Sequence, residues 1–163
     1  MERLTMYDDI IKKHSSNFGI NERLIRAIIQ TESSWNPWAI RVERGFWSRY
    51  LTGIKNIFFK TPEKDEKWLS YPDLASASYG LMQIMLSTAM EHGFRFTYPT
   101  ELFDPNANIK FGCAYLKRLY ERYGDWDCAI AAYNAGSAKK NLDGTFKNQG
   151  YVSKVLKYFK EKN

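Results

Sequence analysis

The stretch Asn21–Glu32 (NERLIRAIIQTE) constrains the fold most, because its apolar residues recur as one stripe of a helix. Leu24, Ile25, Ile28 and Ile29 stand at the spacing of a buried helical face. Glu32 lies four residues past Ile28 and seven past Ile25, so it extends that face instead of turning to water. The run Ser33-Ser34-Trp35-Asn36-Pro37 ends the helix, since proline does not fit a helix interior. Partial burial and the negative end of the helix dipole both disfavour an ionised carboxylate there. A Glu so placed holds its proton near neutral pH and can serve as a general acid. From this helix alone, the competing reading is a Glu that swings to solvent or pairs with an Arg in the core.

The rest of the chain is mostly helical in pattern. Tyr7, Ile10, Ile11, His14 and Phe18 recur at helical spacing and end at Gly19. Ser87 is expected to cap a short helix through Met90, stopped near Gly93. Asp104-Pro105, a cap followed by an N1 proline, opens a long helix with Ile109, Cys113, Leu116 and Tyr120 inward. Asp125 caps the next helix, which runs through Ala135 with Gly136 just beyond, and a last one is expected from about Tyr151 to Lys160. Residues 1–163 fit one domain, long enough to bury most of its apolar surface. The segment Arg41–Ala77 breaks the regularity, being rich first in aromatic and basic residues and then in loop formers. It is read as an excursion within the domain. Its Phe46, Trp47, Tyr50, Leu51, Ile54, Ile57, Phe58 and Phe59 would pack over the body or cover a cleft, in preference to touching a membrane.

Composition removes several classes. No run of about 20 apolar residues is present for a membrane span, so no stable membrane insertion is expected. The start, MERLTMYDDIIKKHSS, lacks the continuous apolar region of a secretory signal. The net charge of +6 admits an anionic partner, or simply a basic, soluble surface. The basic residues are dispersed and no nucleic-acid motif appears, so no nucleic-acid partner is expected. Cys113 and Cys128 would lie about 15 Å apart on neighbouring helices, beyond the reach of a disulfide. Both are expected as free thiols. His14 and His92 are isolated, without metal-ligand spacing, and read as packing or surface residues.

Two further stretches have compositions that packing does not require. Tyr79-Gly80-Leu81-Met82-Gln83-Ile84 sets an amide inside an apolar run, where an unpaired polar group would cost about 1–3 kcal/mol. Gly80 lets backbone approach something closely. Ala132-Tyr133-Asn134-Ala135-Gly136 places a phenol and an amide among small residues at a helix end. With Glu32, these residues describe a polar cleft holding one acid and several hydroxyl or amide partners, suited to a sugar bearing N-acetyl groups. Aromatic residues make up 16% of the chain, with eleven Tyr and five Trp, which suits such a groove as well as a large core.

In this order, Glu32-Ser33, Gly80-Leu81-Met82-Gln83-Ile84 and Ala132-Tyr133-Asn134-Ala135-Gly136, with Tyr151-Val152 late, resemble the soluble lytic transglycosylase family, related to goose-type lysozymes. The resemblance covers roughly residues 20–160. It implies a mainly α, lysozyme-like single domain, with the irregular excursion at about residues 41–77 inserted in it. It also implies cleavage of the MurNAc-β-1,4-GlcNAc bond of peptidoglycan without water, leaving 1,6-anhydro-muramyl ends, with no metal or organic cofactor. Glu32 would be the catalytic acid and then the base. Tyr133 would bond its carboxyl or position the N-acetyl group, Met82 and Gln83 would line the sugar sites, and Asn134 and Tyr151 would support the cleft. Ser33 would stand beside the acid as a helper.

Two features depart from the family pattern. Family members commonly carry a Ser about nine residues after the acid, where this chain has Arg41; Ser76 or Ser78 is the available substitute. The excursion also supplies Glu43 and Asp73, either of which would serve a goose-type muramidase as the residue that activates water. A catalytically silent glycan-binding module is the reading from a different class. The expected setting is a monomeric phage or prophage lysis protein, an endolysin made in the cytoplasm and released to the wall by a holin-type or secretion partner; a mature fragment, or part of a secretion or tail assembly that opens the wall locally, is an equal alternative.

Overall fold

The structure is a computed structural model that describes residues 2–43, 72–95 and 98–161. Helix α1 (Glu2–Phe18) runs into α2 (Glu22–Ser33) through Gly19 and Ile20. Asn21 caps α2, its side-chain oxygen accepting from the Arg23 amide at 2.9 Å. The stripe read from the sequence is the buried one: Leu24, Ile25, Ala27, Ile28 and Ile29 face inward. Helices α5 (Pro105–Tyr123) and α6 (Trp126–Ala135) form an antiparallel pair about Gly124, and α7 (Gln149–Lys160) lies against α2. Their inward faces, among them Ile109, Leu116, Ile130, Ala131, Val152 and Val155, close one core with α1 and α2. The caps act as expected. Asp104 accepts from the Ala107 amide at 2.7 Å and Asp125 from the Cys128 amide at 2.8 Å.

A small antiparallel sheet was not anticipated. Strands β1 (Ile40–Val42), β2 (Ala77–Tyr79) and β3 (Ile84–Met85) pair in that order, with Arg41 opposite Ser78 and Ser78 opposite Met85. Strands of two or three residues are too short for alternation to register in a sequence. The two ends of the expected excursion are therefore sheet, and one turn of helix, α3 (Pro72–Ala75), leads into β2. The aromatic residues from Phe46 to Phe59 lie outside the described residues.

Other boundaries moved. Ser87 does not cap its helix: β3 runs directly into α4 (Leu86–Glu91), whose N-cap is Met85 with no side-chain bond, because Leu86 must already point into the core. The first helix reaches back to Glu2, and the last begins at Gln149, whose side-chain oxygen accepts from the Phe146 amide at 3.0 Å. A 3-10 turn at Pro99–Phe103 precedes α5. A second apolar cluster, including Tyr79, Leu86, Phe94 and Phe111, joins the sheet to α4 and α5. Cys113 and Cys128 are free thiols, and burial pushes the Cys113 thiol up to about 12. His14 is buried and shares a 3.0 Å hydrogen bond with Asn106, a packing role as expected. Among the described residues, no helix is long and apolar enough to cross a membrane.

Candidate active site

Between α2, the sheet, α4 and the C-terminal end of α6 lies a cavity of about 930 Å³, and Glu32 is in its wall. Glu32 occupies the last turn of α2. The chain then reverses through Ser34 (φ 50°) and Trp35 (φ 67°), a left-handed pair unusual for residues with a Cβ. Stacking of the Trp35 ring on Tyr7, with centroids 6.3 Å apart and planes 8° from parallel, holds that turn. Burial raises the Glu32 carboxyl above the ordinary carboxylate range. Its hydrogen bond with Tyr151 and the charges of Arg41 and Lys154 act in the opposite sense, and the Glu43 charge adds to the rise. Desolvation wins, so the acid form persists to higher pH than that of an ordinary carboxyl.

The Tyr151 hydroxyl donates to Glu32 Oε1 at 2.6 Å. That phenol stays protonated, its titration pushed far up by burial and then by the carboxyl it meets. Tyr133 was expected to bond the Glu32 carboxyl or to position an N-acetyl group. Its hydroxyl donates to the Met82 carbonyl at 2.9 Å and not to Glu32, bracing the cavity wall that its ring helps to form. Tyr151 takes the acid because α7 packs directly on α2.

The Gly80–Gln83 turn is built from backbone contacts. Gly80 has φ 70°, and a Cβ there would collide with the Asn108 amide and the Leu102 carbonyl oxygen. Asn108, wholly buried, donates to the Tyr79 carbonyl at 2.7 Å and the Leu102 carbonyl at 2.8 Å, and accepts from the Met82 amide at 2.8 Å. Sequence reasoning missed it. The available signal was a polar residue just before Ile109, on the row it shares with Gly112 of the buried face. Gln83, at φ 45°, donates from Nε2 to the Ala39 carbonyl at 3.0 Å and the Gly80 carbonyl at 2.9 Å, and it lines the cavity.

Met82, expected to line the sugar sites, is not in the cavity wall. Its side chain is fully buried against Gly112, where any larger residue would displace it. Ser33 is also off the wall, its hydroxyl bonded at 3.2 Å to the Ile29 carbonyl of its own helix. Asn134 is on the wall, held by Asn148, which donates from Nδ2 to Asn134 Oδ1 at 3.0 Å and to the Ala131 carbonyl at 2.9 Å. Asn148 went unnoticed in the sequence, where nothing sets it apart from other loop amides. Of the two serines weighed against Arg41, Ser78 reaches the wall and Ser76 does not. Arg41 itself lines the cavity, and its Nε donates to Glu43 Oε1 at 2.6 Å, with Glu43 in the wall beside it. Asp73 is exposed on α3, away from the cavity. A further carboxylate in the wall, Glu91, was not foreseen, and Arg118 pairs with it at 3.0 Å.

The family model of the Transglycosylase SLT domain matches residues 9–151, which include Glu32, the Gly80–Gln83 turn, Tyr133 and Tyr151. The chain belongs to the SLT transglycosylase family. This SLT domain is 29% identical over 143 residues to a transglycosylase of Enterobacteria phage PRD1, covering 88% of the chain and 39% of that relative. It is 31% identical over 150 residues to the membrane-bound lytic murein transglycosylase C of Edwardsiella ictaluri, covering 83% of the chain and 33% of the relative. Among solved structures, the 70 kDa soluble lytic transglycosylase of Escherichia coli superposes with a TM-score of 0.62 at 27% identity, covering 94% of this chain and 23% of that one. The fold is thus the one expected. The SLT domain spans between a third and two fifths of the length of these two curated relatives.

Proposed function

We propose that this chain is a peptidoglycan lytic transglycosylase that cleaves the MurNAc-β-1,4-GlcNAc bond non-hydrolytically, with Glu32 as general acid and then base. The observation that carries the reading is Glu32 itself: a carboxyl raised by burial, in the wall of an open polar cavity, hydrogen-bonded by a phenol that stays protonated. In the acid step, protonated Glu32 gives its proton to the leaving glycosidic oxygen. The substrate's own acetamido oxygen stabilises the developing cation, as in substrate-assisted glycosidases. Glu32 is then a carboxylate, and the Tyr151 hydroxyl at 2.6 Å and the charges of Arg41 and Lys154 stabilise it. In the second step it removes the proton from the C6 hydroxyl, whose oxygen attacks the anomeric carbon of the same sugar. Proximity makes that ring closure competitive with water, and proton transfer by Glu32 contributes about 10²–10⁴-fold.

The remaining residues shape the cavity. Gln83, Ser78 and Asn134 present polar groups in the wall, and Tyr133 and Asn108 hold the Gly80–Gln83 turn in place. The resemblance assigned a sugar contact to Met82 and a helper's place to Ser33; in this reading both are supports. The substrate is the glycan strand of peptidoglycan, reached in the periplasm or outside the cell, with a holin-type or secretion partner as the route.

A goose-type muramidase is the second reading, favoured by one observation: Glu43 shares the cavity wall with Glu32. Mass spectrometry of digested peptidoglycan separates the two. Anhydro-muramyl ends are expected, and products carrying only water-added reducing ends would replace the transglycosylase with the hydrolase. Glu32→Gln is expected to abolish turnover while strands still bind; turnover that survives removes Glu32 as the acid.

A further inference from the structure

Among the described residues the cavity wall carries five charged side chains, and four of them are accounted for: Glu32, Arg41, Glu43 and Glu91. Arg41 and Glu43 pair at 2.6 Å, and Glu91 pairs with Arg118 at 3.0 Å. Glu32 in its acid form adds no charge. The fifth is Lys139, which has no ion-pair partner among the described residues. With Glu32 protonated, the described residues of the wall therefore present one uncompensated positive charge.

The loop that carries Lys139 is braced. Gly136 ends α6 in the left-handed conformation, and the chain returns through an isolated bridge between Lys140 and Phe146. The Lys147 amide donates to the Lys139 carbonyl at 2.9 Å, and the Asn141 amide to the Thr145 carbonyl at 2.8 Å. Asn148, bonded to α6 at the Ala131 carbonyl and to Asn134, fixes the far end of the loop. Successive side chains of an extended segment point to opposite sides. Lys140 goes one way, its Nζ lying 5.0 Å over the Phe146 ring and its charge acting on Asp125. Lys139 goes the other way, into the cavity wall.

A neutral sugar offers hydroxyls and amide oxygens, none of which needs a full positive charge. A carboxylate does, and an ammonium on a flexible stem meets one as a point charge without demanding a fixed bidentate geometry. Resting on the proposed function, we propose that Lys139 is a specificity-determining residue that receives a free carboxylate of the peptide stem on the glycan strand.

The test compares two probes with one glycan: stem-bearing peptidoglycan oligosaccharides, and the same preparation with its stem carboxylates converted to amides. Affinities are measured with Glu32→Gln, so that binding is read without turnover and independently of the wall-cutting chemistry. In that background, Lys139→Met is expected to weaken binding of the carboxylate form about threefold at low salt, the size of an exposed ion pair. It should leave the amidated form unchanged, while Lys139→Arg restores the difference. The preference should also fade as ionic strength rises. Equal weakening for both probes overturns the proposal in favour of a packing role. Unchanged affinity for both, or no binding of either probe, overturns it as well. The products of the wild-type enzyme judge the catalytic reading separately.

Discussion

Removing one hydroxyl, by Tyr151→Phe, tests the central chemistry. The Tyr151–Glu32 contact is 2.6 Å long and half-buried, and it favours the charged carboxylate, since a phenolic donor pairs better with an ionised oxygen. A hydrogen bond to a charged group contributes about 1.5–3 kcal/mol. Losing it at the step where Glu32 must accept the C6 proton converts to a fall in kcat of about 10–100-fold. The ring stays in place, so the packing of α7 on α2 is retained. The pH profile moves in a definite sense. In the proposed mechanism the free enzyme needs Glu32 protonated, so kcat/KM is expected to fall as pH rises through the Glu32 titration. Tyr151 lowers that titration, so its loss lifts it further, and the alkaline limb shifts to higher pH while the maximum drops. Clearing of peptidoglycan suspensions across a pH series would measure both. A limb that stays fixed or moves down, or a rate unaffected by the substitution, would refute the assigned role of this contact.

Glu32→Gln should raise thermal stability at neutral and alkaline pH. The folded-state titration of Glu32 lies above its unfolded one, so its stabilising protonation is complete below the unfolded value and is lost as pH rises through the folded one. The gap in Tm over wild type should close on acidification to about pH 4, and a gap that widened there would contradict the burial argument. Gly80→Ala is expected to destabilise by about 2–3 kcal/mol, from left-handed strain and collision with Asn108, as read by urea unfolding. Asn108→Ala should cost more than about 3 kcal/mol, because two carbonyls and one amide lose their buried partner. Its loss of activity should exceed that of Asp104→Ala, a helix-cap change of about 1 kcal/mol.

Much of the helical framework was legible in the chain. The buried stripe of α2, the caps at Asp104 and Asp125, and the stops at Gly124 and Gly136 all follow from contacts within a few residues. The inward placement of Glu32 was legible for the same reason: it continues a stripe whose direction is set by helical spacing alone. Gly80 was readable as a point of close approach, though what approaches, the Asn108 amide, was not. The short strands escaped notice because two or three residues carry no period, and their identity depends on partners elsewhere. Ser87 misled for a related reason. A good capping side chain yields when a strand feeds straight into the helix and the next residue must be buried.

The sequence by itself determined which segments are helices, where they stop and that a carboxyl ends one of them, because those outcomes rest on hydrogen bonds and side-chain spacing within one turn. The tertiary structure alone decided which partner the carboxyl meets: Tyr151 is 119 residues away, and Tyr133 reaches the Met82 carbonyl across 51. It also decided that Arg41 stands opposite Ser78 with its Nε on Glu43, and that Met82 turns inward onto Gly112. Such pairings arise when separately specified faces pack together. Burial is then shared among elements distant in the chain, and no local pattern records which side chain will meet which.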